Sequence, residues 1–142
     1  MELLALLDSL SIYRREIIRT LDTSRLDLSI NITQERVLMA ILKMPELNMK
    51  ELSAQIGLEK SSLTRVIDSL IEGGFVVRTY DMHDRRKINC SLTVKGMVEA
   101  NMVEQLMIEH VNTCFSGLSA EEKNVLIQNL SCAVETLSKF VK

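Results

Sequence analysis

The chain has 142 residues, 46% apolar and 25% charged, with a formal net charge of −2. That length carries one domain, or one domain plus an oligomerisation element, with a core that needs neither disulfide nor metal. The slight acidity does not suggest a nucleic-acid binder, so such a role has to rest on local charge: residues 50–87 hold seven Lys/Arg against six Asp/Glu.

Residues 2–22 place Leu3, Leu7, Leu10, Ile17 and Leu21 near a helical repeat, widened by Leu6, Tyr13 and Ile18 and interrupted by Arg14. This predicts an amphipathic helix with a broad apolar face. Residues 23–32 read as a connection. Thr33 is expected to cap a second helix over 34–44, with Val37, Leu38, Ile41 and Leu42 on its apolar side and Pro45 ending it. Asn48 and Glu51 have capping-box spacing and open a short helix that buries Met49, Leu52 and Ile56. Gly57-Leu58 turns the chain into a helix over 59–72, whose face is Leu63, Val66, Ile67, Leu70 and Ile71. Gly73-Gly74 closes it.

Two β-like runs follow, 75–80 and 87–93, joined by a charged tip, DMHDRRK. Thr93 caps a long helix to about Phe115 that passes through Gly96, at roughly 1 kcal/mol against alanine. Its apolar residues cover most of its circumference. Ser119 and Glu122 form a capping box for a last helix over 120–141, with a coiled-coil-like seam of Leu126, Leu130, Ala133, Leu137 and Phe140. The expected fold is mainly α with a small β-hairpin wing. A winged helix-turn-helix core over 33–93 is flanked by long dimerisation helices in 1–32 and 94–142. The end helices carry more apolar surface than one small domain can cover, and a second copy is the simplest partner.

The helices 49–56 and 59–72 have the lengths of a helix-turn-helix, whose second helix enters the major groove. Its polar face offers Lys60, Ser61, Ser62, Thr64 and Arg65 to phosphates and base edges, with Arg65 suited to a guanine edge. A capped, solvated first turn reads the same way in isolation. At the tip, an arginine reaching a narrow minor groove meets enhanced negative potential. Asp84 is placed to orient Arg86, with Arg85 and Lys87 over phosphates. A tip charged only for solubility is the alternative. The conjunction of helix pair, two glycines and hairpin within a short stretch favours DNA.

The stretches "ELSAQIGL", "SSLTRVIDSLIEGGFVVR" and "DRRKINCSLTVKG" resemble, in that order, the winged-helix core of the MarR family of bacterial transcription regulators. The resemblance implies a homodimer built from the first and the last two helices, on double-stranded DNA with a pseudo-palindromic operator. By position, Asp84 and Arg86 match the family's wing pair, and Lys60 to Arg65 the start of its recognition helix. The family's ligand pockets imply a small aromatic or anionic effector, for which Tyr13 and Arg14 are the candidates; an ion pair of Arg14 at the dimer interface is the plainer reading. The family's oxidant-sensing branch uses a cysteine in the first helix, and this chain has none there.

Cys90, Cys114 and Cys132 are an odd set without CxxC spacing, expected to be reduced, buried small hydrophobes, with a redox role for Cys114 or for Cys132 beside the dimer seam as the alternative. His83 and His110 are too scattered for a metal centre, and no cofactor is expected. His83 beside Asp84 invites a general-base role, but no nucleophile or pocket accompanies it. The N-terminus, carrying Glu2 and Asp8 and no basic leader, makes a poor secretion signal, and no apolar run approaches the roughly 18 residues of a membrane span. A cytoplasmic regulator without catalysis is the expectation. A winged helix that binds protein instead of DNA is its rival, because Asp68 sits on the face meant for DNA.

Overall fold

The computed structural model describes residues 2–24 and 30–140. Part of the expected connection at 23–32, and the last residue of the expected final helix, lie outside the described residues. The elements are α1 (Leu3–Arg19), α2 (Ile32–Lys43), α3 (Met49–Ile56), α4 (Lys60–Glu72), β1 (Val76–Tyr80), β2 (Ile88–Leu92), α5 (Val94–Cys114) and α6 (Ala120–Ser138). They divide into two compact units, Asp22–Met107 and Met1–Leu21 with Ile108–Lys142.

In the first unit, α2 begins earlier than its sequence suggests. Asn31, not Thr33, is its cap: the Asn31 side chain accepts from the Gln34 N–H at 3.0 Å, and the Gln34 side chain accepts from the Asn31 N–H at 2.8 Å. This box satisfies two otherwise orphaned donors at once and leaves Thr33 inside the first turn. The Asn48–Glu51 box of α3 forms as expected, at 3.0 and 2.9 Å. Gly57 then takes φ 74°, a left-handed conformation that ends α3 without a Cβ penalty.

α4 buries Leu63, Ile67 and Leu70, one stripe at helical spacing. Against it pack Val37, Leu38 and Ile41 of α2, Leu52 of α3, Phe75 and Val76, Cys90 of β2 and Ala100 of α5. Each fully buried Leu or Ile contributes roughly 1.5–3 kcal/mol of transfer free energy. Polar ties fix the helices against sliding. Gln34 donates to the Ser69 hydroxyl at 2.7 Å, and Arg36 donates to the Ile56 carbonyl at the end of α3 at 2.9 Å.

β1 and β2 pair antiparallel, from Val76 opposite Leu92 to Tyr80 opposite Ile88. An isolated bridge joins Asn89 to Asn48, so β2 is also held at the start of α3. The root of the hairpin is clamped to α5. The Thr93 hydroxyl donates to the Gly74 carbonyl at 2.6 Å and accepts the Gly96 N–H at 3.0 Å, while the Thr93 N–H donates to the Phe75 carbonyl at 3.0 Å. Lys95 donates to the Gly73 carbonyl at 2.8 Å and lies 4.2 Å over the Phe75 ring. Gly96, which looks like a helix defect in the sequence, is the point of closest approach. A Cβ there would stand 1.9 Å from the Phe75 carbonyl oxygen.

In the second unit, His110 Nε2 donates to the Ile17 carbonyl at 2.7 Å, tying α5 to α1. The Ser119–Glu122 box caps α6. Neither α1 nor α6 buries a residue within one chain. Leu3, Leu7 and Leu10 of α1, Leu130 and Leu137 of α6 and Phe140 just beyond its end are exposed. α5 buries Ala100, Val103 and Leu106 but exposes Met97, Val98, Met102 and Ile108.

The cysteines correct an expectation. Cys90 is buried, 3.5 Å from the Met49 sulfur, whereas Cys114 and Cys132 are exposed in the single chain because they lie on helix faces that nothing in it covers. Burial pushes the Cys90 thiol up, against a smaller opposing pull from Arg78, and so disfavours the thiolate. No helix among the described residues is long and apolar enough to cross a membrane.

Gly96→Ala gains about 1 kcal/mol of helix propensity but forces the hairpin root away, and overpacking of this kind costs about 1–3 kcal/mol. A net loss of stability in urea unfolding is expected. A variant as stable as the parent would mean that the Phe75 backbone is free to move.

Candidate nucleic-acid interface

The turn between α3 and α4 is held by the Ser53 hydroxyl, which donates to the Leu58 carbonyl. It sets the first turns of α4 beside the start of α3, with the hairpin closing the third side. Between them is a cleft of about 440 Å³ whose lining includes Lys50, Lys60, Arg78, Arg86 and Lys87, with Thr64 and Tyr80, and no Asp or Glu. Five cations line this wall, one of them, Arg78, already paired with Asp68 of α4, and a surface lined in this way suits a polyanion. The first turn of α4 holds no acid, although its cap residue Glu59, which makes no side-chain cap bond, sets one carboxylate at the positive end of the helix.

Of the residues expected at the site, the structure brings Lys60, Thr64, Arg86 and Lys87 together in the cleft. Ser61, Ser62 and Arg65 are exposed on α4 outside that lining, as are Asp84 and Arg85 on the tip. The Thr64 hydroxyl donates to the Lys60 carbonyl at 2.8 Å and keeps its lone pairs for another donor. Tyr13 and Arg14 are exposed on α1, and neither lines the cleft.

Lys50, Arg78 and Tyr80 are lining residues that local sequence reasoning passes over. A signal exists for two of them. Strand alternation puts Val76, Arg78 and Tyr80 on one side of β1, and Val76 is core. Arg78 pairs with Asp68 of α4, so the acid that complicates the polar face of that helix is matched by a cation from the wing.

The tip is organised from an unexpected position. The Asp81 carboxylate accepts from the backbone N–H groups of His83 at 2.7 Å and Asp84 at 3.1 Å. Asp84 does not grip the Arg86 guanidinium. Its carboxylate accepts from the Arg86 backbone N–H at 3.0 Å, a local Asx-type bond that fixes where the arginine leaves the chain. The Lys87 N–H donates to the Asp84 carbonyl at 2.9 Å, and the Asp81 N–H to the Lys87 carbonyl at 3.1 Å. His83 and Asp84 both stand exposed on this turn. Among the described residues no group of three His, Cys, Asp or Glu side chains could hold a metal.

A helix-turn-helix with an antiparallel hairpin beside its second helix is a winged helix-turn-helix, here with a basic cleft at the junction. Residues 30–88 match the MarR family model. A transcriptional repressor of Bacillus subtilis, YetL, is 31% identical over 97 residues, 66% of this chain and 56% of that protein, so the chain spans little more than half of this relative's length. The regulator SarZ of Staphylococcus aureus is 28% identical over 116 residues, 82% of this chain and 77% of SarZ. The crystal structure of a mutant MarR from Escherichia coli superposes with a TM-score of 0.78 at 25% identity, covering 94% of this chain and 97% of that one. Residues 30–88 of this chain are thus a MarR-family domain.

The backbone N–H groups of His83 and Asp84 hold the Asp81 carboxyl below the usual carboxylate range. Its contribution to the turn is therefore complete above the ordinary Asp pKa and is lost as pH falls through the lowered value. Asp81→Ala should speed hydrogen exchange at the His83 and Asp84 amides at neutral pH while leaving core amides protected. Unchanged exchange at those two amides would remove Asp81 from this role.

Proposed function

We propose that the chain is a sequence-specific DNA-binding transcription regulator that binds a pseudo-palindromic operator as a homodimer in the bacterial cytoplasm. The observation that carries this reading is the cleft: Lys50 and Lys60 from the helix pair and Arg86 and Lys87 from the wing line one surface with Arg78, which is paired to Asp68. Two similar proteins, YetL and SarZ, are a transcriptional repressor and a transcriptional regulator. In this reading residues 33–93 are the DNA-binding part. α4 lies in the major groove with Lys60, Ser61, Ser62, Thr64 and Arg65 toward phosphates and base edges. Arg86 reaches the adjacent minor groove, Arg85 and Lys87 meet the backbone, and Asp84 fixes the point from which Arg86 departs.

Residues 1–32 and 94–142 form the dimerisation region. Leu3, Leu7 and Leu10 on α1, Leu130 and Leu137 on α6 and Phe140 just after it are large apolar side chains left uncovered in one chain. So many large apolar side chains left uncovered on these helices favour an association surface, and a second copy offers the same surface in return. The Arg14 guanidinium and Tyr13 ring on α1 supply the charge and apolar area that an anionic aromatic effector requires.

Selection of bound duplex from random sequence should yield an inverted repeat with half-site centres about 10–10.5 base pairs apart, or a multiple of that. Arg86→Ala should then weaken operator binding by about 1–3 kcal/mol without changing the unfolding midpoint. Equal affinity in an anisotropy titration would exclude the wing from the interface. Leu130→Glu places a charge on the proposed dimer surface, and sedimentation equilibrium should show a shift toward monomer. A variant that remains dimeric at the same concentration would take that surface out of the interface.

A further inference from the structure

Among the described residues, one ion pair joins α4 to the hairpin, and it stands beside the cleft. Arg78 Nη2 of β1 donates to Asp68 Oδ1 of α4, with the arginine side chain 34% exposed and the aspartate 49%. Arg78 sits opposite Cys90 in the ladder, and its side chain lines the cleft. A pair as exposed as this adds little to global stability. It has two other consequences. It ties the wing to α4 away from the clamped root, fixing the position of the hairpin relative to the helix. It also occupies one of the five cleft cations with a carboxylate of the chain itself.

Resting on the regulator reading, we propose that Asp68 is a specificity-determining positioning residue. The carboxylate withholds Arg78 from phosphate and holds the wing at the angle the operator needs. Non-specific duplex is held mainly by counterion release, which grows with every cation free to meet a phosphate. Asp68 reduces that term. It leaves the contacts that depend on correct placement of helix and wing together, so it raises the ratio of specific to non-specific affinity.

The test uses the full-length chain, the operator obtained by selection and a scrambled duplex of equal length, with anisotropy titrations across a salt series. Asp68→Asn frees Arg78. The specific-to-non-specific ratio should fall about tenfold, and the salt slope on scrambled duplex should steepen by about 0.9 as one phosphate contact is added. Arg78→Gln breaks the same tie without freeing a cation, so the ratio should fall while the slope on scrambled duplex stays unchanged. An unchanged ratio in Asp68→Asn overturns the proposal. So does a parallel loss on both duplexes accompanied by a lower melting temperature, which is what a merely structural residue would give. A slope on scrambled duplex that drops by about 0.9 in Arg78→Gln also overturns it, because Arg78 would then already contact phosphate in the parent protein. Failure of the parent to prefer any selected duplex over the scrambled one defeats the regulator reading itself. That result appears in the parent titration, apart from either variant.

Discussion

The close approach of α5 to the Phe75 carbonyl governs how the elements proposed to face DNA are arranged. Only a residue without Cβ lets the helix come that near, since a methyl group would overlap the carbonyl oxygen at 1.9 Å. Once α5 is there, Thr93 joins two stretches of backbone at one point, binding the Gly74 and Phe75 carbonyls and the Gly96 amide. The hairpin leaves the core at Phe75 and returns at Thr93, so this single knot fixes both of its ends. The bridge from Asn89 to Asn48 and the pair from Arg78 to Asp68 add two further attachments along its length. A two-stranded ribbon is marginal by itself. Here it is held at the root and at both neighbouring helices, so its cations have defined positions.

Charge explains why the whole-chain balance misleads. The formal charge is −2, yet the cleft has five cations in its lining and no acid. Screening limits exposed charges to a neighbourhood of about 8–10 Å at ordinary salt, so a phosphate at the cleft senses the local set rather than the sum. Several acids within the same stretch are engaged by local structure. Glu51 closes the box on α3, Asp68 meets Arg78, and Asp81 and Asp84 accept backbone N–H groups. Carboxylates bonded inward cancel less of the outward field than a count of residues implies.

The readability of this chain divides by range. Capping boxes at Asn48 and Ser119, the left-handed turn at Gly57, the stripe of Leu63, Ile67 and Leu70 and the hairpin itself are written within a few residues of one another, and the sequence displays them. The start of α2 is harder to place, because Thr33 and Asn31 both have cap chemistry, and the Gln34 partner that decides between them favours Asn31. The roles of Gly96 and Arg78 depend on residues roughly twenty and ten positions away, Phe75 and Asp68, and no local pattern announces such meetings. Cys114 and Cys132 read as interior because cysteine usually is; their helices find no cover within one chain.

The tip of the wing shows the same logic on a smaller scale. Two acids beside Arg85, Arg86 and Lys87 look self-defeating in a surface meant for phosphate. Their bonds give them a different purpose. Asp81 collects the amides of His83 and Asp84, and Asp84 collects that of Arg86, so four consecutive residues of the turn have few backbone alternatives left. Ordering a free loop on binding costs roughly 1–2 kcal/mol per residue in backbone entropy. A tip already ordered by its own carboxylates has little of that left to lose. Glycine or serine in their place would make the tip more positive, yet it would reach the groove as an ensemble with most of its conformations still to be given up. Spending two negative charges on backbone order is the better use of them, provided that the arginine they aim is the group that binds.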